Sequence, residues 1–104
     1  AGMSVWIIGA GPMGLINLRF ARHFGAEPIV VTDPVEVRRD YATDAGADVT
    51  LDPSDPDWRD RLEEATGGWG AERIVVGPGS TTAIESALAS AAPGAIVLVF
   101  TPTP

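Results

Sequence analysis

The chain has 104 residues, 45% of them hydrophobic, with no cysteine and a formal net charge of −7. One hydrophobic core is typical of about 100 to 150 residues, so this length predicts a single domain that folds without cross-links. The lack of cysteine excludes disulfides, a thiolate nucleophile and a cysteine zinc site, and fits a reducing compartment such as the cytoplasm. All seven basic residues are arginine and fourteen residues are acidic, which argues against a nucleic-acid partner. We find no pattern of a membrane span or a signal peptide.

Apolar segments of two kinds alternate along the chain. Short, mostly β-branched runs without polar alternation predict strands buried on both faces of a parallel sheet, at residues 5–8, 29–32, 48–51, 74–76 and 96–100. Four segments with helical spacing separate them, and we expect the apolar stripe of each to pack on the sheet. These stripes are Met13, Ile16, Phe20 and Phe24; Val37, Tyr41 and Ala45; Trp58, Leu62 and Ala65; and Ile84, Ala87, Leu88 and Ala91.

Prolines and glycines delimit the same helices. Prolines are favoured in the first helical turn, which predicts helix starts at Pro12, Pro34 and Pro56. Glycines close helices in the left-handed conformation, which predicts helix ends at Gly25, Gly46, Gly67 and Gly94.

This alternation predicts an α/β fold: a Rossmann-like open parallel sheet of five strands in the order 3-2-1-4-5, with helices on both faces in three α/β/α layers. Ligands of such sheets bind at the carboxyl ends of the strands, beside the first strand. The last predicted strand leaves an apolar sheet edge open, and native chains normally cover such an edge. We therefore expect more chain to follow.

A glycine motif follows the first predicted strand. Residues 9–14, Gly-Ala-Gly-Pro-Met-Gly, match G-x-G-x-x-G at a strand-to-helix turn, the context in which this pattern predicts a dinucleotide site. Gly9 permits the tight turn, Gly11 lets a pyrophosphate approach the backbone, and Gly14 lets the helix lie close to the strand. The free N–H groups of the first helical turn form a local positive site, so the overall negative charge does not forbid a dinucleotide.

Asp33 ends the second predicted strand, nineteen residues after Gly14. At this distance an acid binds the adenosine ribose hydroxyls. A 2′-phosphate beside it would cost about 1 kcal/mol at 4 Å in water and about 4 kcal/mol at an effective dielectric of 20, which favours NAD over NADP. Arg38 and Arg39 can offset part of that repulsion. Asp33 can also act as a helix cap ahead of Pro34, a role compatible with ribose binding.

The sequence resembles the cofactor domain of the medium-chain dehydrogenase/reductase family, and within it the zinc-dependent alcohol, polyol and threonine dehydrogenases. Three segments carry the resemblance, which covers essentially the whole chain: residues 5–14, with proline inside the glycine motif; residues 30–33, Val-Val-Thr-Asp; and residues 45–48, Ala-Gly-Ala-Asp. It implies a complete enzyme that moves a hydride between an alcohol and NAD, with this chain inactive alone. It also implies that a catalytic domain, the zinc ligands and the sixth strand that completes the sheet lie outside this chain. The complete enzyme is expected to be a homo-oligomer.

The same resemblance assigns individual cofactor contacts. Gly11, Pro12 and Met13 would line the pyrophosphate, Asp33 would bind the adenosine ribose, and Arg38 would lie on the adenine side of that ribose. Val76 and Gly77, at the end of the fourth strand, would face the nicotinamide ribose. Phe100 and Thr101, at the end of the fifth strand, would lie near the nicotinamide ring. The sequence departs from the family in residues 77–80, Gly-Pro-Gly-Ser, a more proline-rich loop than the family has there.

Other polar residues have simpler interpretations. His23 is the single histidine and lies where a cation meets the negative end of the first helix dipole. The acids around the third helix, flanked by arginines, are typical of a solvated face rather than of acid/base catalysis or a metal site. Two alternatives to the dehydrogenase remain: a regulatory nucleotide-sensing module and an S-adenosylmethionine-binding domain. The latter usually has an acid just before its glycines, where this chain has isoleucine.

Overall fold

Strands and helices alternate along the chain in a computed structural model that describes residues 3–68, 70–77, 85, 89 and 91–99. The elements are β1 (Val5–Ile8), α1 (Pro12–His23), β2 (Ile29–Thr32), α2 (Glu36–Asp44), β3 (Val49–Leu51), α3 (Trp58–Ala65), β4 (Ala71–Val76) and β5 (Ala91–Val99). All neighbouring strands are parallel, in the order β3-β2-β1-β4-β5, which confirms the predicted topology.

The helices cover both faces of this sheet. Alternate strand residues point to opposite sides, so each face has its own cluster of apolar side chains to be covered. On one face, α1 and α2 place Leu18 and Ala42 against Ile7 and Val31 of the central strands. On the other face, α3 places Leu62 in a second core cluster that includes Trp6, whose ring centroid lies 5.7 Å from that of Trp58. The three-layer architecture predicted from the sequence is therefore confirmed.

The apolar stripe predicted for α1 is wrong, and the one predicted for α2 is wrong at Val37 and Tyr41 but right at Ala45, which packs against the core. Four large side chains of the first stripe are 48–80% exposed: Met13, Ile16, Phe20 and Phe24. Gly14 and Leu18 are buried instead, and in α2 the buried residue is Ala42 rather than Val37 or Tyr41. Gly14 and Ala42 are small and let these helices lie close to the sheet, while Leu18 packs in the core cluster beneath α1. In α3 the predicted stripe is confirmed, with Leu62 buried and Trp58 and Ala65 packed beside it.

Several predicted boundaries shift. Pro12 opens α1 as predicted, but Pro34 and Pro56 precede helices that begin at Glu36 and Trp58. β4 begins at Ala71 and β5 at Ala91, earlier than predicted, because backbone pairing extends both strands beyond their β-branched residues.

Three of the four predicted helix-ending glycines are confirmed. Gly25, Gly46 and Gly67 have positive φ directly after the residues that cap α1, α2 and α3. Gly94 lies inside β5, where Ala71 pairs with Ala91 but Arg73 pairs with Ile96, so it marks an irregularity in the ladder.

The fourth predicted helix lies mostly outside the described residues. Ile84, Ala87 and Leu88 are among those not described, Glu85 and Ala89 are helical, and Ala91 belongs to β5. In the part of the chain that the structure describes, no helix has the length and apolarity needed to cross a membrane.

At the amino end of the sheet, one arginine joins three segments. The Nη2 of Arg22 donates to the Gly46 carbonyl at 2.5 Å and to Asp48 Oδ2 at 2.8 Å, and its Nη1 donates to the Ala26 carbonyl at 3.4 Å. The same Asp48 oxygen accepts the Ile29 N–H at 2.7 Å. These bonds tie the ends of α1 and α2 to the start of β2.

Candidate functional site

The turn between β1 and α1 has the geometry that the glycine motif predicts. Gly9 has a φ of 99°, a conformation that favours glycine, and its N–H donates to the Thr32 carbonyl at 2.8 Å. Gly11 caps α1, and Pro12 follows as the first helical residue, where a missing N–H costs nothing. The helix therefore begins directly above the carboxyl ends of β1 and β2.

Gly14 is the residue that brings α1 against this turn. A Cβ built on Gly14 would collide with the carbonyl oxygen of Gly9, would lie 3.0 Å from the Gly9 carbonyl carbon and would contact the Ile7 side chain at 3.7 Å. No side chain fits there without movement of the backbone. The structure thus confirms the predicted packing role of Gly14.

Gly11 differs from Gly14 because it faces open space. A Cβ added to Gly11 would meet nothing within 4 Å, and its φ of −74° is open to any residue. The absence of a side chain here leaves the start of α1 accessible to a ligand.

The start of α1 has unsatisfied hydrogen-bond donors. The N–H groups of Gly11, Met13 and Gly14 donate to no acceptor within the described ranges, and the first turn contains no acidic residue. Free N–H groups and the helix dipole together favour an anion such as a phosphate. The Ala10 N–H is not one of these donors, because it donates to Asp33 Oδ2 at 2.8 Å.

Asp33 is buried at the carboxyl end of β2, with only 2% of the residue exposed. Besides the bond from Ala10, its Oδ1 accepts the Val35 N–H at 2.8 Å, so the carboxylate bridges the glycine loop and the approach to α2. The predicted N-cap role is wrong in detail, because Val35 occupies that position and no side chain caps α2. An ionised carboxylate accepts about four hydrogen bonds, and two N–H groups leave acceptor positions for a ligand.

The two arginines that follow Asp33 have different environments. Arg38 is 54% exposed on its side chain, and its Nη1 lies 3.9 Å from Asp33 Oδ2. Arg39 is 20% exposed and donates through Nη1 to the Asp33 carbonyl oxygen at 2.9 Å. Arg38 is therefore beside the carboxylate, whereas Arg39 bonds the backbone carbonyl of the same residue.

Asp52 follows β3 as Asp33 follows β2, and its Oδ2 lies 3.7 Å from the Nη1 of Arg39. Its Oδ1 accepts the Ser54 hydroxyl at 2.7 Å and the Ser54 N–H at 2.9 Å. These two hydrogen bonds lower the pKa of Asp52 below the ordinary value of 3.8, and the bond from the hydroxyl has the larger effect. The positive charge of Arg39 makes a further, smaller contribution. The aspartate is thus ionised near neutral pH and paired with Arg39.

Two of the other predicted contact residues end β4. The Val76 side chain is fully buried in the core, so only its backbone can face a ligand, and Gly77 donates its N–H to the Ile8 carbonyl at 3.3 Å. Gly77 thus lies beside the end of β1, on the same edge as the glycine loop. Phe100 and Thr101 lie outside the described residues.

The polar residues interpreted as structural are exposed to solvent. His23 is exposed in the last turn of α1, and the acids around α3 are exposed, namely Asp55, Asp57, Asp60, Glu63 and Glu64. Among the residues described, no three histidine, cysteine or acidic side chains form a group that could hold a metal ion.

Sequence reasoning missed two contributors to this arrangement, Ala10 and Asp52. Ala10 acts through its backbone N–H, which has no signal in the residue type. The sequence gives Arg39 the same interpretation as Arg38, and only the structure separates them. Asp52 had a usable signal, because an acid directly after a predicted strand lies at the same sheet edge as Asp33.

Taken together, the sheet order, the glycine turn and the buried acid after β2 define a Rossmann-type nucleotide-binding domain. A comparison with protein families matches residues 12–101 to the zinc-binding dehydrogenase family. This match covers most of the sequence, and the chain belongs to the zinc-binding dehydrogenase family.

Individual relatives agree with this assignment. The chain is 37% identical over 93 residues to L-threonine 3-dehydrogenase of Pyrococcus furiosus, covering 89% of this chain and 27% of that protein. It superposes with a TM-score of 0.92 and 27% identity on alcohol dehydrogenase TADH of Thermus sp. ATN1, covering 99% of this chain and 30% of that one. The chain therefore spans between a quarter and a third of the length of these dehydrogenases.

A third relative was crystallised with a nucleotide. It is described as a zinc-binding dehydrogenase from Sinorhizobium meliloti 1021 and is bound to NADP. The TM-score is 0.90 at 25% identity, covering 100% of this chain and 31% of that one.

Proposed function

We propose that this chain is the NAD(H)-binding domain of a longer zinc-dependent alcohol or polyol dehydrogenase and is inactive alone. One observation supports this most strongly: a buried carboxylate, Asp33, is fixed beside the glycine loop by the Ala10 N–H at 2.8 Å and keeps acceptor positions free. Family membership supports the dehydrogenase over a nucleotide sensor or an S-adenosylmethionine-binding domain.

The residues at this edge fit a dinucleotide in two parts. The pyrophosphate would lie over the open backbone of Gly11 and accept the free N–H groups of Met13 and Gly14, with Pro12 beside it. The adenosine ribose hydroxyls would donate to the remaining acceptor positions of Asp33. Gly9 and Gly14 have no side chains to touch the ligand, and they would act by holding the loop in place.

The charges favour NAD over NADP. Asp33 is buried, so water screens its charge poorly, whereas the exposed Arg38 is well screened and already lies 3.9 Å from Asp33. Arg39 is drawn toward the backbone by Nη1, which contacts the Asp33 carbonyl and Asp52. The two arginines would therefore offset only part of the repulsion between a 2′-phosphate and Asp33.

When bound, the nicotinamide ring accepts or donates the hydride. The part of this chain is to bind and orient the dinucleotide, with the backbone of Val76 and Gly77 and with Phe100 and Thr101 on the nicotinamide side. The zinc ligands, the proton relay and the alcohol site would belong to a catalytic domain of the same longer chain. We further propose that the complete enzyme is a cytoplasmic homo-oligomer.

A titration of the isotopically labelled chain with NAD and, in parallel, NADP tests the proposal. We expect saturable NAD binding with amide shifts centred on residues 11–14 and Asp33, and weaker binding of NADP. Tighter binding of NADP would mean that Arg38 outweighs Asp33. If neither binds while S-adenosylmethionine does, the dehydrogenase function is wrong.

A further inference from the structure

We propose that Arg39, anchored by Asp52, is the positioning residue that holds Asp33 in its ribose-binding orientation. The inference rests on the proposed function and goes beyond it, because Arg39 would touch no part of the cofactor. It would act only through the Asp33 backbone.

Every polar group of Asp33 is held in place. Its N–H donates to the Leu51 carbonyl at 3.1 Å, and its two carboxylate oxygens accept the N–H groups of Ala10 and Val35 at 2.8 Å. The fourth group, the carbonyl oxygen, accepts Nη1 of Arg39 at 2.9 Å. Of these four bonds, the Arg39 bond is the one made by a side chain from elsewhere in the chain.

The Asp33 carbonyl has a particular need of this donor. It belongs to the peptide bond with Pro34, which has no N–H, and a residue before proline is confined to extended backbone conformations. Among the described residues, the carbonyl has no hydrogen-bond donor except Arg39. A buried carbonyl without a partner is unfavourable, so loss of Arg39 would favour a shift of the Asp33 backbone that exposes this carbonyl to water. Because the carboxylate moves with its own backbone, such a shift would weaken its bond from Ala10.

Asp52 fixes the arginine in turn. Its Oδ2 lies 3.7 Å from the same Nη1, and its Oδ1 is held by Ser54. The guanidinium is therefore placed between the loop after β3 and the end of β2. The neighbouring Arg38 has a half-exposed side chain and contacts the carboxylate rather than the backbone, so it does not support Asp33 in this way.

The test compares two ligands: NAD, and an NAD analogue whose adenosine ribose lacks both hydroxyls. Asp33 can recognise only the first. For Arg39→Ala we expect the Kd for NAD to rise about 3- to 10-fold, the worth of one displaced hydrogen bond, while the Kd for the analogue changes less than about 2-fold. Arg39→Lys should restore NAD affinity, because an ammonium can donate to the carbonyl and pair with Asp52.

Two further measurements separate positioning from a general effect on the fold. In the free chain, Arg39→Ala should shift the amide resonances of Ala10 and Val35, whose N–H groups donate to the Asp33 carboxylate. The control Arg19→Ala, which removes an exposed arginine from the middle of α1, should leave both resonances unchanged. Asp52→Asn should lower NAD affinity selectively but less than Arg39→Ala, and it provides the comparison if Arg39→Ala does not fold.

The outcomes separate this inference from the proposed function. Suppose that the unmodified chain binds NAD. If Arg39→Ala then weakens the binding of NAD and of the analogue equally, or weakens the binding of neither, Arg39 does not position Asp33, and the proposed function stands. If the unmodified chain does not bind NAD at all, the proposed function itself is wrong.

Discussion

The Asp33 carboxylate accepts the Ala10 N–H at 2.8 Å, so the acid that ends β2 is joined to the glycine loop that follows β1. The same carboxylate accepts the Val35 N–H. Asp33 therefore has a structural function in the free chain as well as the ribose-binding function proposed for it, and the two can be measured separately.

Asp33→Asn should destabilise the fold. The amide nitrogen would face one of two N–H donors, Ala10 or Val35, and leave it unsatisfied at a buried position. We expect a loss of about 1 to 3 kcal/mol in the free energy of unfolding, measured by chemical denaturation. Asp44→Asn removes the same charge from an exposed position at the end of α2 and should change stability by less than about 0.5 kcal/mol. Equal effects of the two variants would contradict the structural function of Asp33.

Gly14→Ala and Gly11→Ala should separate folding from binding. A Cβ on Gly14 collides with Gly9, so α1 must move, at a cost of about 1 to 3 kcal/mol or more. A Cβ on Gly11 meets no protein atom, so Gly11→Ala should keep its stability and lose NAD affinity, because the methyl group occupies the proposed phosphate position. Denaturation and NAD titration of both variants check this. Unchanged NAD binding in a folded Gly11→Ala would place the phosphates elsewhere.

Substitutions in α1 should follow the observed burial rather than the hydrophobic pattern. Leu18 is fully buried, and Leu18→Ala should cost about 2 to 5 kcal/mol. Ile16 is 48% exposed, and Ile16→Ala should cost less than about 1 kcal/mol, because half of its surface is already in water and alanine favours helix. Thermal and chemical unfolding of both variants give the comparison. A larger loss for Ile16→Ala would mean that α1 is rotated about its axis.

Asp52 should give the fold a defined dependence on acid pH. Its hydrogen bonds from Ser54 lower its pKa in the folded chain below 3.8, so the stabilisation is complete above that pH. It is lost as the pH falls through the folded-state pKa, where the carboxylate becomes protonated in both states. The difference in unfolding free energy between the natural chain and Asp52→Asn should therefore shrink as the pH is lowered below about 4. A carbon-detected NMR titration of the carboxyl group measures the pKa directly, and a value above 3.8 would contradict the prediction.

Much of this arrangement could be predicted from the sequence, because it depends on local signals. The β-branched runs indicated the strands, and their alternation with helical segments indicated the sheet order. Gly14 indicated the tight helix contact, and the position of Asp33 indicated the acid at the edge. These features are set by backbone geometry and short spacing, which residue types encode directly.

The helix faces and the second layer of the site could not be predicted in this way. Phe20 belongs to one apolar stripe of α1 and Leu18 to another, and the sequence does not distinguish between the two stripes. Only the close approach of α1 at Gly14 decides which stripe faces the sheet. Arg38 and Arg39 are identical in type and adjacent in sequence. Their different functions depend on the position of Asp52, which belongs to another loop.

Contacts across the carboxyl ends of β1, β2 and β3 run from Ala10 through Asp33 and Arg39 to Asp52. Arg22 and Asp48 tie the opposite end of the sheet. Because the loops after these three strands are cross-braced in the free chain, their conformational entropy is lost during folding rather than during association. A nucleotide would therefore meet a nearly rigid surface at these three loops, with side-chain adjustments but little backbone movement there.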